Sequence, residues 1–253
     1  MQPVLFIGHG SPINAIENNP FTQSLKSLGE KLLPVPKAIM VISAHWLNSV
    51  TLVSTNPKPK TIHDFFGFPD ELYHVQYPAP GAKDYVLKLL KTIPGLKEDD
   101  EADLDHGAWS ILKHLFPKAN IPVFQLSIDY YKPMSYHFEL GEKLSYLRNH
   151  DVLIIGSGNI VHNLDLFEPN KENNTLTWAV EFDGWVKDCI NNRDFQSLIN
   201  YEECSKNFHL AVPGTDHYIP MLYALGAVKQ DDKIEFTYEE VISSISMRCF
   251  KVG

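Results

Sequence analysis

Four short apolar runs rich in β-branched residues, each followed by glycine or serine, constrain the fold most strongly. They are Val4–Ile7, Ala38–Ile42, Pro122–Leu126 and Val152–Ile155. None alternates with polar residues, which is typical of strands buried on both faces of a sheet. Amphipathic stretches of helical period lie between them: Thr22–Leu33, Lys83–Leu90, Trp109–Phe116 and Phe138–Leu147. Strands alternating with helices predict an α/β fold with a mostly parallel central sheet flanked by helices on both faces.

The C-terminal third departs from this alternation. A polar loop at 168–176 precedes predicted helices and strands at Trp178–Cys189, Asp216–Val228, Ile234–Tyr238 and Ser244–Phe250. The last two predict two additional C-terminal strands. The chain contains no internal repeat and no Ser/Gly linker, so we expect one catalytic domain over 1–253. The aromatic, Pro-rich stretch Asn56–Pro80 predicts a long ordered loop, a type of loop that is usually functional.

Composition excludes several classes of protein. Lys and Arg number 22 against 31 Asp and Glu, a formal net charge of −9, which argues against nucleic-acid binding because that depends on cations facing phosphates. No apolar run reaches the roughly 18 residues of a membrane span, and the N-terminus lacks a basic signal-peptide region. Cys189, Cys204 and Cys249 show no CxxC spacing and are predicted to be buried thiols in a reducing cytoplasm.

Histidines follow three of the predicted strands. His9 follows the first strand in a Gly-His-Gly-Ser-Pro motif, His45 follows the second in Ser-Ala-His-Trp, and His162 lies just beyond the fourth. In an open α/β sheet, ligands bind at the carboxyl ends of the strands. We therefore expect these three histidines to meet at one edge of the sheet, where one metal ion would account for them together with two histidines at predicted helix starts, His106 and His217.

Two further histidines each follow an aspartate at a predicted helix start. Asp105 and Asp216 are candidate N-caps, which places His106 and His217 in the first helical turn. The positive end of the helix dipole disfavours imidazolium there, and a metal ligand or general base must be neutral. Other histidines lack such contexts and are expected to be surface or packing residues: His74, His114, His137, His150 and His209.

Several catalytic signatures are missing. Gly156 and Gly158 lack the third glycine of a dinucleotide-binding fingerprint, because Val161 stands at that position. The chain has no Walker A sequence, no HExxH and no GxSxG elbow. Ser11 and Ser157 stand near histidines, but without the elbow a serine nucleophile is not favoured.

The residues so placed resemble a known family, the class III extradiol ring-cleavage dioxygenases, and within it the 4,5-DOPA dioxygenase extradiol-like branch. The resemblance runs from end to end of the chain. The motifs that carry it are Gly8-His9-Gly10-Ser11-Pro12, Ser43-Ala44-His45-Trp46, His63-Asp64-Phe65, Tyr77-Pro78-Ala79-Pro80-Gly81, Asp105-His106-Gly107-Ala108-Trp109, Gly156-Ser157-Gly158-Asn159 with Val161-His162-Asn163, and His217-Tyr218-Ile219-Pro220.

The resemblance implies one divalent metal per chain, with His9, His45 and His217 as ligands. His162 matches a position that is an acid/base histidine or a fourth ligand, depending on the member, and His106 matches a histidine near the substrate. The broader class holds iron with two histidines and a glutamate, whereas His217 stands at the matching position here. An all-nitrogen site suits Zn(II) as well as Fe(II), so both metals stay open.

The implied activity is the ring opening of a catechol, DOPA being the example, by O2 to give a semialdehyde. Three protein ligands on octahedral iron leave three positions, enough for catecholate and O2. His162 is expected to take a catechol proton, and His106, oriented by Asp105, to hydrogen-bond substrate or dioxygen. Residues expected to bind or surround the substrate are Ser11, Trp46, His63, Phe65, Asp105 and Trp109.

Three alternatives remain at this point. Histidines around Zn(II) could activate water for hydrolysis. A first strand ending in Gly-His-Gly-Ser also opens tetrapyrrole chelatases, although the Ser-Ala-His-Trp and Asp-His-Gly-Ala-Trp motifs have no place in them. A non-catalytic metal-binding protein could use the same fold. The particular catechol, the bond that is cleaved and the oligomeric state are not readable from the residues.

Overall fold

A six-stranded mixed sheet forms the centre of the computed structural model, which describes residues 1–168 and 175–253. Its strands are β1 (Val4–Gly8), β2 (Ala38–Ser43), β3 (Val123–Gln125), β4 (Val152–Gly158), β5 (Ile234–Tyr238) and β6 (Cys249–Val252). The order is β3-β2-β4-β1-β6-β5. In this order, β3, β2, β4 and β1 run parallel to one another. Strand β6 pairs antiparallel with β1, and β5 pairs antiparallel with β6. The predicted parallel sheet with two extra C-terminal strands is confirmed.

The pairing register brings three strand ends to one level. Ser43 of β2 pairs with Ser157 of β4, and Gly8 of β1 pairs with Gly158 of β4. Because these strands are parallel, their carboxyl ends share one edge of the sheet. The segments that follow β1, β2 and β4 therefore begin side by side.

Six helices of eight residues or more cover the sheet within the described ranges. They are α1 (Pro20–Lys31), α2 (Lys83–Thr92), α3 (His106–Leu115), α4 (Met134–Leu144), α5 (Thr177–Asn191) and α6 (Ile219–Gly226). Alternate strand residues enter two separate cores, because successive side chains of a strand point to opposite faces. Leu5 and Ile7 pack with α1 and α3, whereas Val4 and Phe6 pack with α2, α4, α5 and α6. Helices on both faces were predicted and are confirmed.

Shorter elements complete the chain. They are the 3₁₀ helices Pro12–Ala15, Ser145–His150 and Leu164–Leu166, the short α-helices Asp70–Tyr73, Phe195–Ile199, Tyr201–Cys204 and Phe208–Ala211, and the strand pairs Leu47–Asn48 with Ile128–Asp129, Leu52–Ser54 with Lys97–Asp99, and Val241–Ile242 with Ile245–Ser246. Of the stretch Asn56–Pro80, only Asp70–Tyr73 is helical. The predicted polar loop falls mostly at 169–174, outside the described residues.

The predicted strand Ser244–Phe250 is instead two separate strands. The strand Ile245–Ser246 lies outside the central sheet and pairs with Val241–Ile242, and Ile245 forms a bridge with His162. The chain returns to the sheet at Cys249, the first residue of β6. Pairing with the segment after β4 therefore overrides the continuous strand that the apolar pattern predicts.

The predicted helix start at Asp216 is also wrong, since α6 begins at Ile219. The carbonyl of Thr215 accepts hydrogen bonds from Tyr218 N and Ile219 N, closing a turn before the helix. Pro220 lies in the first helical turn, where its missing N–H costs nothing. Asp216 and His217 consequently occupy the turn that precedes α6.

Two further expectations concern the cysteines and membranes. Cys189 and Cys249 are buried as predicted, but Cys204 is exposed, so the expectation of three buried thiols is wrong for that residue. Over residues 1–168 and 175–253, no helix combines the length and apolar character needed to cross a bilayer.

Candidate active site

Three histidines from distant parts of the chain meet at the carboxyl edge of the parallel strands. His9 directly follows β1, His45 follows β2 by two residues, and His217 lies in the turn before α6. One ring nitrogen from each lies within 4.8 Å of the others. The Nε2 atoms of His9 and His45 are 3.1 Å apart. Of the three histidines expected to meet from the strand ends, His9 and His45 converge, and the third nitrogen of the group comes from His217 and not from His162.

Backbone contacts hold the three segments together. His9 N donates to Gly158 O at 3.1 Å, Ala44 N donates to Ser157 O at 2.9 Å, and Asn159 N donates to His217 O at 2.9 Å. At Gly158, an added Cβ would lie 2.2 Å from the His217 carbonyl oxygen. Only glycine allows the turn that carries His217 to approach β4 this closely.

The tautomer of His9 follows from its neighbours. Ser157 is fully buried, and its Oγ donates to Gly107 O at 2.6 Å. A hydroxyl has one hydrogen, so Ser157 Oγ must accept from His9 Nδ1, which lies 3.0 Å away. His9 thus carries its proton on Nδ1 and presents the lone pair of Nε2 to the cluster.

Asp216 holds His217 in the same way. Its Oδ2 lies 2.6 Å from His217 Nδ1, which fixes the proton on that nitrogen and leaves Nε2 unprotonated. Metal-ligating histidines usually donate their other ring N–H to a carboxylate or another oxygen. Both His9 and His217 have this arrangement.

The electrostatics favour neutral imidazoles that face one another. Burial lowers the pKa of His9 well below its usual value, and repulsion from His45 and His217 lowers it further. Burial, followed by His106 and His217, lowers the pKa of His45 in the same direction. His45 Nε2 lies 3.1 Å from the unprotonated Nε2 of His9, so it donates a hydrogen bond there unless a cation between the two nitrogens replaces its proton. The donor set therefore fits a borderline divalent metal ion.

His162 lies against this cluster but outside its group of converging nitrogens. Its ring stacks on His217 with centroids 3.5 Å apart and planes 6° apart. Burial is the main cause that lowers the pKa of His162 to about 3, with repulsion from His217 adding to it. A neutral imidazole therefore stands beside the site.

His106 is the fifth histidine of the site, and its carboxylate neighbour differs from the predicted one. The His106 ring lies 3.9 Å from that of His45, centroid to centroid. Asp64 Oδ1 lies 3.0 Å from His106 Nδ1, whereas Asp105, predicted to orient this histidine, caps α3 by accepting from Ala108 N at 3.2 Å. Ser43 Oγ also donates to Asp105 at 2.6 Å, and burial raises the Asp105 pKa to about 6.

Aromatic side chains of the long loop form one wall of the site. The Phe65 ring meets His106 edge-on at 5.6 Å between centroids. Trp109 is fully buried beside Phe65 and donates from Nε1 to Ile62 O at 2.8 Å. Trp46 is half-buried directly after His45. Phe65 thus contacts the histidine cluster directly, and Trp109 supports it from behind.

His63 and Ser11 lie next to the site without contacting the clustered rings. His63 Nε2 is 3.1 Å from Val75 O, and its ring contacts Phe65 and Trp109. Ser11 caps the 3₁₀ helix Pro12–Ala15 and, with Gly10, lines a neighbouring cavity of about 320 Å³. Their predicted substrate contacts remain predictions.

Sequence reasoning missed three residues that hold the histidines: Asp64, Ser157 and Asp216. Asp64 and Ser157 are distant in sequence from the histidines they contact, so no local pattern marks their role. Asp216 carried a signal, being adjacent to His217, but a helix cap was the simpler interpretation.

The α/β fold and the three convergent histidines, two of them buried, fit a metal-dependent enzyme. Residues 3–248 match the family of the catalytic LigB subunit of aromatic ring-opening dioxygenase, and the chain belongs to this family. The chain is 40% identical to the 4,5-DOPA dioxygenase extradiol of Escherichia coli (strain K12), over 99% of this chain and 94% of that protein. It is 35% identical to the protein of the same name from Beta vulgaris, over 94% and 91%.

A crystal structure of an uncharacterized protein from Escherichia coli K12 has the same fold. It matches with a TM-score of 0.88 and 35% sequence identity, covering all of both chains. The resemblance inferred from the motifs is confirmed, and with it an extradiol ring-opening dioxygenase activity. The hydrolase, chelatase and non-catalytic alternatives are not favoured by any of these relatives.

Proposed function

We propose that this enzyme opens the ring of a catechol bearing a DOPA-like side chain, using O2 and one Fe(II) ion, to give a semialdehyde. The observation that carries the proposal is the convergence of nitrogens from His9, His45 and His217 within 4.8 Å. The names of the relatives support the substrate class, since several are 4,5-DOPA dioxygenases.

His9, His45 and His217 would hold the metal through nitrogens that face one another. Ser157 and Asp216 engage Nδ1 of His9 and of His217, which keeps each Nε2 free as a ligand atom. When bound, the ion supplies open coordination positions and positive charge for the catechol oxygens and O2. The all-nitrogen set also accommodates Zn(II), so we assign Fe(II) to the active enzyme and Zn(II) to an inactive form.

His162 acts as the acid/base residue in this proposal. Its lowered pKa, about 3, leaves the imidazole neutral at physiological pH, and its place against His217 puts it beside the metal position. It takes a proton from a catechol hydroxyl and returns it later in the reaction. Its place outside the three converging nitrogens supports this role over that of a fourth ligand.

His106 and the aromatic loop orient the substrate. His106 accepts a hydrogen bond from the substrate beside His45, and Phe65 with Trp109 behind it shields that side of the cluster from water. We further propose that residues 1–253 form one catalytic domain that acts in the cytoplasm on a small aromatic molecule and O2, without nucleic-acid or membrane partners. Trp46, His63, Ser11 and Asp105 stay candidate substrate-site residues.

The test is oxygen uptake by protein reconstituted with Fe(II) under anaerobic conditions, on a panel of catechols that includes DOPA. Zinc-loaded protein is the matched control. We expect iron-dependent oxygen consumption and a coloured semialdehyde, fastest with amino-acid catechols. Tight binding of one metal per chain without uptake on any catechol would contradict the proposal.

The role of His162 is tested separately with His162→Ala. We expect this variant to keep its metal, measured by elemental analysis, while losing turnover. Loss of the metal together with turnover would instead make His162 a ligand.

A further inference from the structure

Asp64 connects the long aromatic loop to the first residue of α3 through one carboxylate oxygen. Its Oδ1 accepts from the backbone N of His106 at 3.0 Å and lies 3.0 Å from Nδ1 of the same residue. His106 is buried, and among the described residues its Nδ1 completes no hydrogen bond of normal geometry, so the 3.0 Å approach of Asp64 Oδ1 is a close contact and not a formed hydrogen bond. The Nδ1–H direction is not fully in line with Oδ1, as is common for catalytic hydrogen bonds before substrate binds.

We propose that Asp64 is a positioning residue that selects the ring orientation and the tautomer of His106. Oδ1 holds the proton on Nδ1, so Nε2 is left with its lone pair as an acceptor for a hydroxyl of the substrate. This inference rests on the proposed place of His106 beside the catechol. It extends to His106 the arrangement that Ser157 and Asp216 impose on His9 and His217.

No other described carboxylate competes for this role. Asp105 Oδ1 is engaged by Ser43 Oγ and by Ala108 N, and its buried Oδ2 makes no hydrogen bond to His106 or to any other described residue. Asp216 contacts His217 Nδ1. Asp64 is thus the carboxylate that faces the His106 ring, and without it the proton of His106 could reside on either nitrogen.

The loop has enough other anchors to stay in place when the Asp64 carboxylate is removed. Ile62 N donates to Leu104 O at 2.9 Å, and Trp109 Nε1 donates to Ile62 O at 2.8 Å. Asp105 caps α3 independently of Asp64. A variant at Asp64 therefore changes the surroundings of the His106 ring more than the fold.

The two substitutions Asp64→Asn and Asp64→Ala have different expected effects. Both contacts to His106 use Oδ1, while no hydrogen bond of Oδ2 is present within the described part of the chain. In Asp64→Asn, the backbone N–H of His106 therefore keeps the new amide oxygen in the Oδ1 position, and the NH2 group takes the partly exposed Oδ2 position. Asparagine preserves the acceptor, whereas alanine removes it.

The experiment combines imidazole ¹⁵N NMR of zinc-loaded protein with ring-opening kinetics of iron-loaded protein. In the wild type and in Asp64→Asn, we expect the His106 resonances of a single Nδ1–H tautomer and kcat values within about threefold of each other. In Asp64→Ala, we expect mixed tautomers and a roughly 10–100-fold lower kcat, comparable to the cost of losing the carboxylate partner of a metal-ligating histidine, with KM and metal content little changed. Asp70→Ala, at an exposed position of the same stretch Asn56–Pro80, is the matched control.

A double variant shows whether Asp64 acts on turnover through His106 or independently of it. Asp64→Ala combined with His106→Ala should lose no more turnover than His106→Ala alone. An unchanged His106 tautomer in Asp64→Ala, equal losses in Asp64→Asn and Asp64→Ala, or additive losses in the double variant would each overturn the inference. Because the NMR measurement needs no turnover, it decides the role of Asp64 even if the wild-type enzyme opens no catechol.

Discussion

His9 and His137 are both buried histidines whose Nδ1 contacts a hydroxyl oxygen, yet they lie in regions of different character. His137 is in α4, where Nδ1 is 3.0 Å from Tyr223 Oη and Nε2 is buried without a partner in the described ranges. Burial lowers the His137 pKa to about 4, and burial is also the largest cause of the lowered His9 pKa. Desolvation therefore acts alike on both residues.

The two regions differ in what Nε2 faces. In His9, Nε2 meets the Nε2 of His45 at 3.1 Å, and His217 completes a group of three. In His137, the ring is surrounded by the helix-side core that includes Tyr136 and Tyr223. A lowered pKa thus marks a buried histidine, while the convergence of several histidines marks a site.

The largest expected effect comes from removing a ligand. His9→Ala should lower metal affinity by more than about 100-fold, exceeding the usual cost of losing an outer partner, and should abolish ring opening. Isothermal titration with Zn(II) measures the affinity. His137→Ala is the matched control, expected to keep full affinity while losing stability. Equal affinities for His9→Ala and the wild type would remove the distinction between the two regions.

A second comparison uses two glycines where backbones approach closely. Gly158→Ala would place a Cβ 2.2 Å from His217 O, and Gly226→Ala would place one 2.1 Å from Phe138 O beside His137. Both should be destabilising by about 1–3 kcal/mol through overpacking. Only Gly158→Ala moves a ligand segment, so only it should lose turnover, by about 100-fold. Urea unfolding and kinetics check this, and similar turnover losses in both variants would contradict it.

The hydrogen-bond partners provide a third comparison. Ser157→Ala removes the oxygen that fixes the His9 tautomer and should weaken metal binding about 10–100-fold. Tyr223→Phe removes the partner of His137 and should leave metal affinity unchanged while costing about 0.5–1.5 kcal/mol of stability. The same titration applies to both variants. Wild-type affinity in Ser157→Ala would show that the serine does not control the tautomer.

The smallest effect is on acid stability. The folded-state pKa of His137, about 4, is below the unfolded value of 6.5, so the unfolded chain binds the extra proton and the free energy of unfolding falls as pH drops from 6.5 to 4. In metal-free protein, His137→Gln should reduce this slope by up to about 1.4 kcal/mol per pH unit. Urea unfolding at each pH measures it. An unchanged slope would mean that His137 is not titrating over this range.

Much of the fold was predictable from local patterns. The apolar runs at Val4, Ala38 and Val152 predicted the strands β1, β2 and β4 because unbroken apolar runs suit strands buried on both faces. The C-terminal part was harder to predict. The break in the strand after Ser246 depends on the bridge between Ile245 and His162, which are far apart in the chain. The start of α6 at Ile219 depends on a local turn closed by the Thr215 carbonyl, which the apolar pattern does not mark.

The sequence by itself determined the parallel sheet, the strand ends that carry His9 and His45, and the family, because periodicity and motif order are properties of the chain. The tertiary structure decided which side chains orient the histidines. Asp64 instead of Asp105 faces the His106 ring, Ser157 determines the His9 tautomer, and His162 stacks on His217. Hydrogen-bond partners depend on distances of about 3 Å between segments far apart in the chain, and such distances exist only once the sheet and its loops have packed.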